Sequence, residues 1–461
     1  MRTINLASLT ADAKFNRFHL SILLWCALII VMDGYDLAVA GIALPSIMQA
    51  MSIEPAHAGL MVSSALFGML FGNLLFGTLG ERIGRPKAIA ICVFLFSAFT
   101  AAAGLTNDPK TFALARFVAG LGIGGVMPNV IAQMTEYSPK RMRAMLVALM
   151  FSGYCVGGVL AAVLGKSLIE VHGWQSVFLL AAAPIVLIPF ILRSMPESVP
   201  FLIRRKDARA LQQLAAKIDP TYTPHQDDTF VGIGAEQAGA TAPVRQLFQD
   251  GRTPSTVLFW LSCVMCLFMV YALSSWLTKL MASAGYSIGS ALTFVIVMNL
   301  GGILGAIAGG WLADRLHIKY VLASMYLIAA GSLAMLGQEV STSLRYVLIG
   351  LAGGTTIGTQ IVGCAYVGQF YPNTIRATGL GWFLGVGRVG AIVAPIVIGA
   401  LVGAELPLGL NFVAIGIPGL LAAILIFCID HAKSASNEKE AAKESWATGR
   451  PAAGVVLGRD S

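Results

Sequence analysis

Two carboxylates, Asp33 and Asp36, stand three residues apart inside an apolar run that extends from Leu20 to Leu44. A charge in the middle of a membrane-spanning helix costs at least a few kcal/mol, so its presence points to function. Residues at i and i+3 share a helical face, and Gly34 between them lets another backbone or a ligand come close. Glu136, near the end of a later apolar run, is the next acidic candidate, and Arg116 and Arg388 are the basic ones. Groups of these types can do two things in a membrane. A carboxyl can take up and release a proton, and a guanidinium can grip an anion with two parallel hydrogen bonds. None of the six histidines (His19, His57, His172, His225, His317, His431) falls mid-run, so a proton relay would rest on Asp33, Asp36 or Glu136. The competing reading is structural: buried charges that only tie one helix to another.

The elements that must carry these residues are membrane helices. The 461 residues are 57% hydrophobic and 12% charged, with a mean hydropathy of +0.77, the composition of a polytopic membrane protein. Twelve stretches have spanning character, roughly 20–44, 57–79, 88–106, 111–135, 144–168, 174–193, 255–279, 287–313, 319–337, 343–367, 377–402 and 409–430. The expected fold is therefore an all-α membrane protein with twelve transmembrane helices in two six-helix pseudo-repeats. Its parts are a first half over 1–193, a polar linker over 194–253, a second half over 254–430 and a polar tail over 431–461.

The net charge of +8 does not mark a nucleic-acid binder, because its bases sit in short loops beside the apolar runs. Arg2, Lys14 and Arg17, then Arg82, Arg85 and Lys87, then Lys140, Arg141 and Arg143 all fall on one side of the membrane. Both termini are expected in the cytoplasm, with no cleavable signal. The seven cysteines lie mostly in apolar runs and show no metal-ligand spacing, so neither a metal nor another cofactor is expected.

An internal repeat supports the two halves. Gly77 to Arg82 recurs as Gly310 to Arg315, and Pro139 with Arg143 recurs as Pro372 with Arg376, each 233 residues on (310 − 77; 372 − 139). Parallel repeats around a midplane site are the layout of a secondary transporter. Depth then sorts the charges. Asp33 is about fifteen residues into its span, ~22 Å at ~1.5 Å per residue, and Arg388 is ~18 Å in from the same side. Asp36 lies deeper, at the level of Arg116 on the oppositely directed fourth span. Asp36 is thus paired with Arg116, leaving Asp33 and Arg388 to the central cavity. Position 155 (388 − 233) is Cys155, so the mid-span arginine is not duplicated.

Several motifs resemble known families. Gly77-x-x-x-Glu81-Arg82-x-Gly84-Arg85-x-Lys87 is similar to the loop motif of the major facilitator superfamily, with Glu in place of the usual Asp. Arg116-x-x-x-Gly120-x-Gly122-x-Gly124-Gly125 and Pro196-Glu197-Ser198-x-Pro200-Phe201-Leu202 resemble two more of its motifs. Asp33-Gly34-Tyr35-Asp36, Tyr371-Pro372-x-x-x-Arg376-Ala377-Thr378-Gly379 and Gly385-x-Gly387-Arg388-x-Gly390 resemble the aromatic acid:proton symporter family. The opening from Phe15 to His19, with Trp25 to Ile30, resembles its benzoate and 4-hydroxybenzoate carriers.

The resemblance implies proton-coupled uptake of an aromatic carboxylate across the bacterial inner membrane, by a monomer whose other partner is lipid. Such an acid is ionised at neutral pH and needs a cation: Arg388 first, Arg116 second. The ring needs an apolar slot, for which Tyr35, Tyr366, Trp382, Phe383, Trp260, Phe268 and Tyr271 are candidates; Trp276 and Trp311 look interfacial. Asn129 and Gln360 are amides able to read ring hydroxyls or to join helices. Gly77, Glu81, Arg82 and Arg85, with Asp314 and Arg315 opposite, form an expected gate joined by Glu136, Arg143 and Arg376. Rival readings are a carrier of another organic anion or a sugar, a proton antiporter exporting aromatic compounds, and a non-transporting receptor. An enzyme is not expected: no nucleophile, base and orienting group come together in a polar segment.

Overall fold

The computed structural model describes residues 2–220, 222–225, 228–231, 244–249, 251–372 and 375–434; most of the polar tail therefore lies outside the described residues. Among the described residues twelve helices are long and apolar enough to cross a membrane. They are α1 (Arg17–Met51), α2 (Pro55–Ile83), α3 (Arg85–Gly104), α4 (Pro109–Tyr137), α5 (Arg143–His172) and α6 (Gln175–Ser194). After the linker come α7 (Thr253–Ser283), α8 (Ile288–Arg315), α9 (Ile318–Leu336), α10 (Thr342–Phe370), α11 (Arg376–Gly403) and α12 (Leu408–Phe427). Their starts are encoded locally. Asn16 accepts from the backbone N–H of Phe18 and His19 at the start of α1, and Asp108 accepts from Thr111 ahead of Pro109. Those bonds hold the exposed Asp108 carboxyl below the usual carboxylate range.

The fold is the expected all-α bundle of twelve spans, with two local departures from regular helix. The sixth span is not one regular helix: it runs as helix Gln175–Leu180, a 3-10 turn over Ala183–Leu187 and helix Ile188–Ser194. Pro184 and Pro189 lack the N–H that a continuous helix would need there. Nor is the chain wholly helical, since Arg2–Asn5 and Asp228–Val231 pair as two short parallel strands with Ile4 opposite Phe230. The linker also carries helix Ala208–Ile218, whose Leu211, Leu214, Ala215 and Ile218 are buried.

The packing repeats with the sequence. Helices α2 and α4 approach until a methyl group on Gly68 or Gly72 would lie 2.0 Å from the carbonyl oxygen of Phe117 or Leu121. At the same 233-residue offset, Gly301 and Gly305 bring α8 against Gly350 and Gly354 of α10, at 2.1 and 2.0 Å. Only glycine permits such backbone contact.

Contacts between the first six helices and the last six are one-sided. Three crossings, α2 with α11, α5 with α8 and α1 with α7 (where Gly41 abuts the Ser274 carbonyl), carry them on the side away from the start of α1 and the end of α12. There Ser63 donates to the Ile392 carbonyl at 2.8 Å, Lys166 donates to Thr293 Oγ1 at 3.3 Å, and Gly59 abuts the Pro395 carbonyl. Toward the side where α1 begins and α12 ends the same helices separate. Methyl groups built on Gly77 of α2, Gly310 of α8, or Gly381 and Gly385 of α11 would meet nothing within 4 Å. The molecule is sealed on its far face and open on the face where α1 begins and α12 ends.

Candidate functional site

Near mid-depth, where the sealed and open parts meet, the intramembrane charges converge. Asp36 and Arg116 form a buried pair: Nη1 donates to Asp36 Oδ2 at 3.1 Å and to Thr100 Oγ1 at 2.6 Å, while Nη2 donates to the Asp36 carbonyl at 3.1 Å. Both residues are 1% exposed. With two bonds onto Asp36 of α1 and one onto Thr100 of α3, the guanidinium ties α4 to both helices and is largely used up in doing so. A small cavity of about 10 Å³ adjoins it, lined by Leu37, Leu66, Tyr154, Tyr271 and Ser274 among others, with room for about one water.

Asp33 differs from its neighbour. It is fully buried, and neither carboxyl oxygen has a hydrogen-bond partner. It lies within Coulombic reach of Asp36 and Arg388. Arg388, half-buried on α11, is held by neutral groups only: Nη1 donates to the Tyr271 hydroxyl at 3.0 Å and contacts Met69 Sδ at 2.9 Å. Among the described residues no carboxylate pairs with it.

Gly34 sits where α1 meets α5, and a methyl group there would lie 2.3 Å from the Tyr154 carbonyl oxygen. The partner of this close approach is thus backbone. Gly34→Ala is expected to push α5 away and destabilise the fold by about 1–3 kcal/mol, read as a lowered Tm of the detergent-purified protein; an unchanged Tm would show that the contact yields.

The other expected site residues are scattered. Tyr35 donates to the Val177 carbonyl at 2.7 Å, inside the first six helices. Tyr366 and Phe383 pack edge-on around Phe259, and the Tyr366 hydroxyl reaches His431 Nδ1 at 3.2 Å. Trp382, 43% exposed, stacks on Trp260 toward the open side. Asn129 donates to the carbonyls of Phe76 and Gly125, joining α4 to α2. Gln360 is half-buried on α10. Trp276, read as interfacial, is instead fully buried and donates to the Pro395 carbonyl at 3.1 Å; its N–H finds a partner inside the bundle, so it needs no water.

Around the open mouth, Glu136 binds the Arg85 guanidinium and accepts from Val199 N–H at 2.6 Å, while Glu197 accepts from Arg85 N–H at 2.9 Å. Arg204 of the linker donates to the Glu81 carbonyl. Arg315 lies 4.2 Å over the Trp311 ring, and Arg143 reaches the Ser138 carbonyl at 3.4 Å. Among the described residues Glu81, Arg82, Asp314, Arg315 and Arg376 form no ion pair between the two sets of helices, as the separation there requires.

Sequence reasoning overlooked Thr100, Tyr154 and Met69. A Tyr or Met in an apolar run reads as packing, and only the neighbouring helix shows otherwise. A signal existed for Tyr154 alone, since it adjoins Cys155, the repeat-equivalent of Arg388.

This arrangement can bind an anion at a cation that no carboxylate contacts and exchange a proton at a carboxyl near it. Comparison with known proteins fits a carrier. The model of the Major Facilitator Superfamily matches residues 26–362 and 300–459. The chain is 43% identical to the benzoate transport protein of Acinetobacter baylyi, covering 93% of each chain. It is 35% identical to a 4-hydroxybenzoate transporter of Pseudomonas aeruginosa, over 88% of this chain and 91% of the other. In fold it is similar to a crystal structure of a D-xylose-proton symporter, with a TM-score of 0.68 at 18% identity, covering 89% of this chain and 97% of that one.

Proposed function

Because the chain belongs to the major facilitator superfamily, and within it to the transporters of aromatic acids, we propose that it takes up an aromatic carboxylate such as benzoate together with a proton. It is a multi-pass membrane transporter and not an enzyme. In this reading it works as a monomer in the bacterial inner membrane with both ends in the cytoplasm, and the open face is the cytoplasmic one. The halves, 1–193 and 254–430, rock about the mid-depth site, joined by the linker 194–253 and followed by the tail 431–461.

The observation that carries the reading is Arg388, a mid-membrane cation held only by a phenol and a thioether. A carboxylate is the ligand such a guanidinium lacks, which favours an anion over a sugar. Asp33 takes the proton: it is the buried carboxyl with no hydrogen-bond partner, whereas Asp36 is engaged by Arg116. The mouth charges on opposite halves, Glu81 and Arg82 on one side and Asp314, Arg315 and Arg376 on the other, are apart in the present conformation and meet when the carrier faces outward.

The test is uptake of labelled benzoate into energised cells expressing the protein. Accumulation above the external concentration is expected, with collapse to equilibration when a protonophore is added. Accumulation that persists with the protonophore would remove proton coupling from the proposal.

A further inference from the structure

The two contacts of Arg388 belong to opposite sides of the moving interface. Tyr271 is on α7, which packs beside α11 and moves with Arg388; Met69 is on α2, in the other half. Both are buried, at 7% and 1% exposure. As acceptors they are unequal, because a phenol oxygen takes a charged N–H well and a thioether only weakly. Met69 is also fixed in place: a methyl group on Gly124 of α4 would lie 2.0 Å from its carbonyl oxygen. Both contacts use Nη1, and among the described residues no hydrogen bond leaves Nη2 or Nε. Those two nitrogens form one edge of the guanidinium, the edge a carboxylate engages with two parallel bonds.

We propose that Tyr271 is a positioning residue that holds Arg388 by Nη1, so that its Nε–Nη2 edge is presented to the substrate, and that Met69 is a placeholder whose sulfur contact the arriving carboxylate displaces. This rests on the reading of Arg388 as the carboxylate site. It assigns opposite signs to two buried neighbours. Losing the Tyr271 hydroxyl leaves the ring in place and frees the guanidinium to rotate, which weakens binding. Losing the Met69 sulfur removes a contact that only the empty site makes, which does not weaken binding. A packing role alone gives both residues the same sign and acts on protein yield or maximal rate.

The experiment measures benzoate uptake kinetics in cells and equilibrium benzoate binding to the purified protein, with Tm as a check on folding. Tyr271→Phe is expected to raise KM and Kd about tenfold, the loss of one hydrogen bond to a charged group, with maximal rate within about twofold. Met69→Leu, close in volume, is expected to leave KM at or below the wild-type value. The Tyr271→Phe effect should be equal for benzoate and 4-hydroxybenzoate, since it acts through the carboxylate. A wild-type KM in Tyr271→Phe, or a raised KM in Met69→Leu, overturns the assignment. Arg388→Gln separates the levels: if it binds benzoate normally, the carboxylate site itself is misassigned. If it fails to bind while Tyr271→Phe is neutral, only the positioning role falls.

Discussion

Arg388→Gln is expected to lower benzoate affinity by at least about 100-fold, with the folded protein still recoverable. The substitution keeps hydrogen-bonding capacity and removes the charge. A carboxylate brought to mid-depth would then be an unpaired buried charge, and breaking such a pair costs about 3–5 kcal/mol, roughly 100-fold or more in binding. Recovery of the protein is expected because Arg388 makes no ion pair that holds the fold, only contacts to Tyr271 and Met69. Arg116 is the contrasting case, since its removal strands the buried Asp36. Isothermal titration of the purified variant with benzoate reads the outcome, and undiminished affinity would return the carboxylate site to Arg116.

Asp33→Asn is expected to abolish accumulation while preserving exchange of internal for external substrate. With Asp33 ionised, the empty carrier holds one negative and one positive charge beside the neutral Asp36–Arg116 pair. Substrate adds a negative charge and a proton on Asp33 cancels it, so the empty and the fully loaded forms are both balanced. A half-loaded form carries an unbalanced charge in the membrane, at about 2.5–3.5 kcal/mol, and reorients roughly 100-fold less often. Asparagine mimics the protonated residue: the loaded carrier still turns, but the empty one returns with Arg388 uncompensated. Counterflow of labelled benzoate in reconstituted vesicles should persist, and net uptake driven by a proton gradient should vanish. Retained gradient-driven accumulation would move the proton site to another carboxyl.

How much of this was written in the sequence differs from residue to residue. The Asp36–Arg116 pair followed from depth alone, because rise per residue along two opposed helices fixes which charges stand level. The twelve helices followed from hydropathy, and the offset that aligns the mouth loops also aligns Gly68 with Gly301 and Gly72 with Gly305. The aromatic residues were not legible in this way. Tyr271, Tyr366 and Phe383 occupy similar apolar surroundings in the chain, and only tertiary packing sends one hydroxyl to Arg388 and the other ring and hydroxyl toward Phe259 and His431. The strand pairing of Arg2–Asn5 with Asp228–Val231 joins segments more than 200 residues apart, and neither is long enough to announce itself.

The tally of buried charges has an electrical consequence. If each inward passage carries one anion with one proton, and each return carries neither, then no net charge crosses the membrane in a full cycle. Voltage then does no work on the overall reaction, and the concentration ratio of substrate is bounded by the pH difference alone. A cell de-energised electrically but still acid outside would go on filling with substrate.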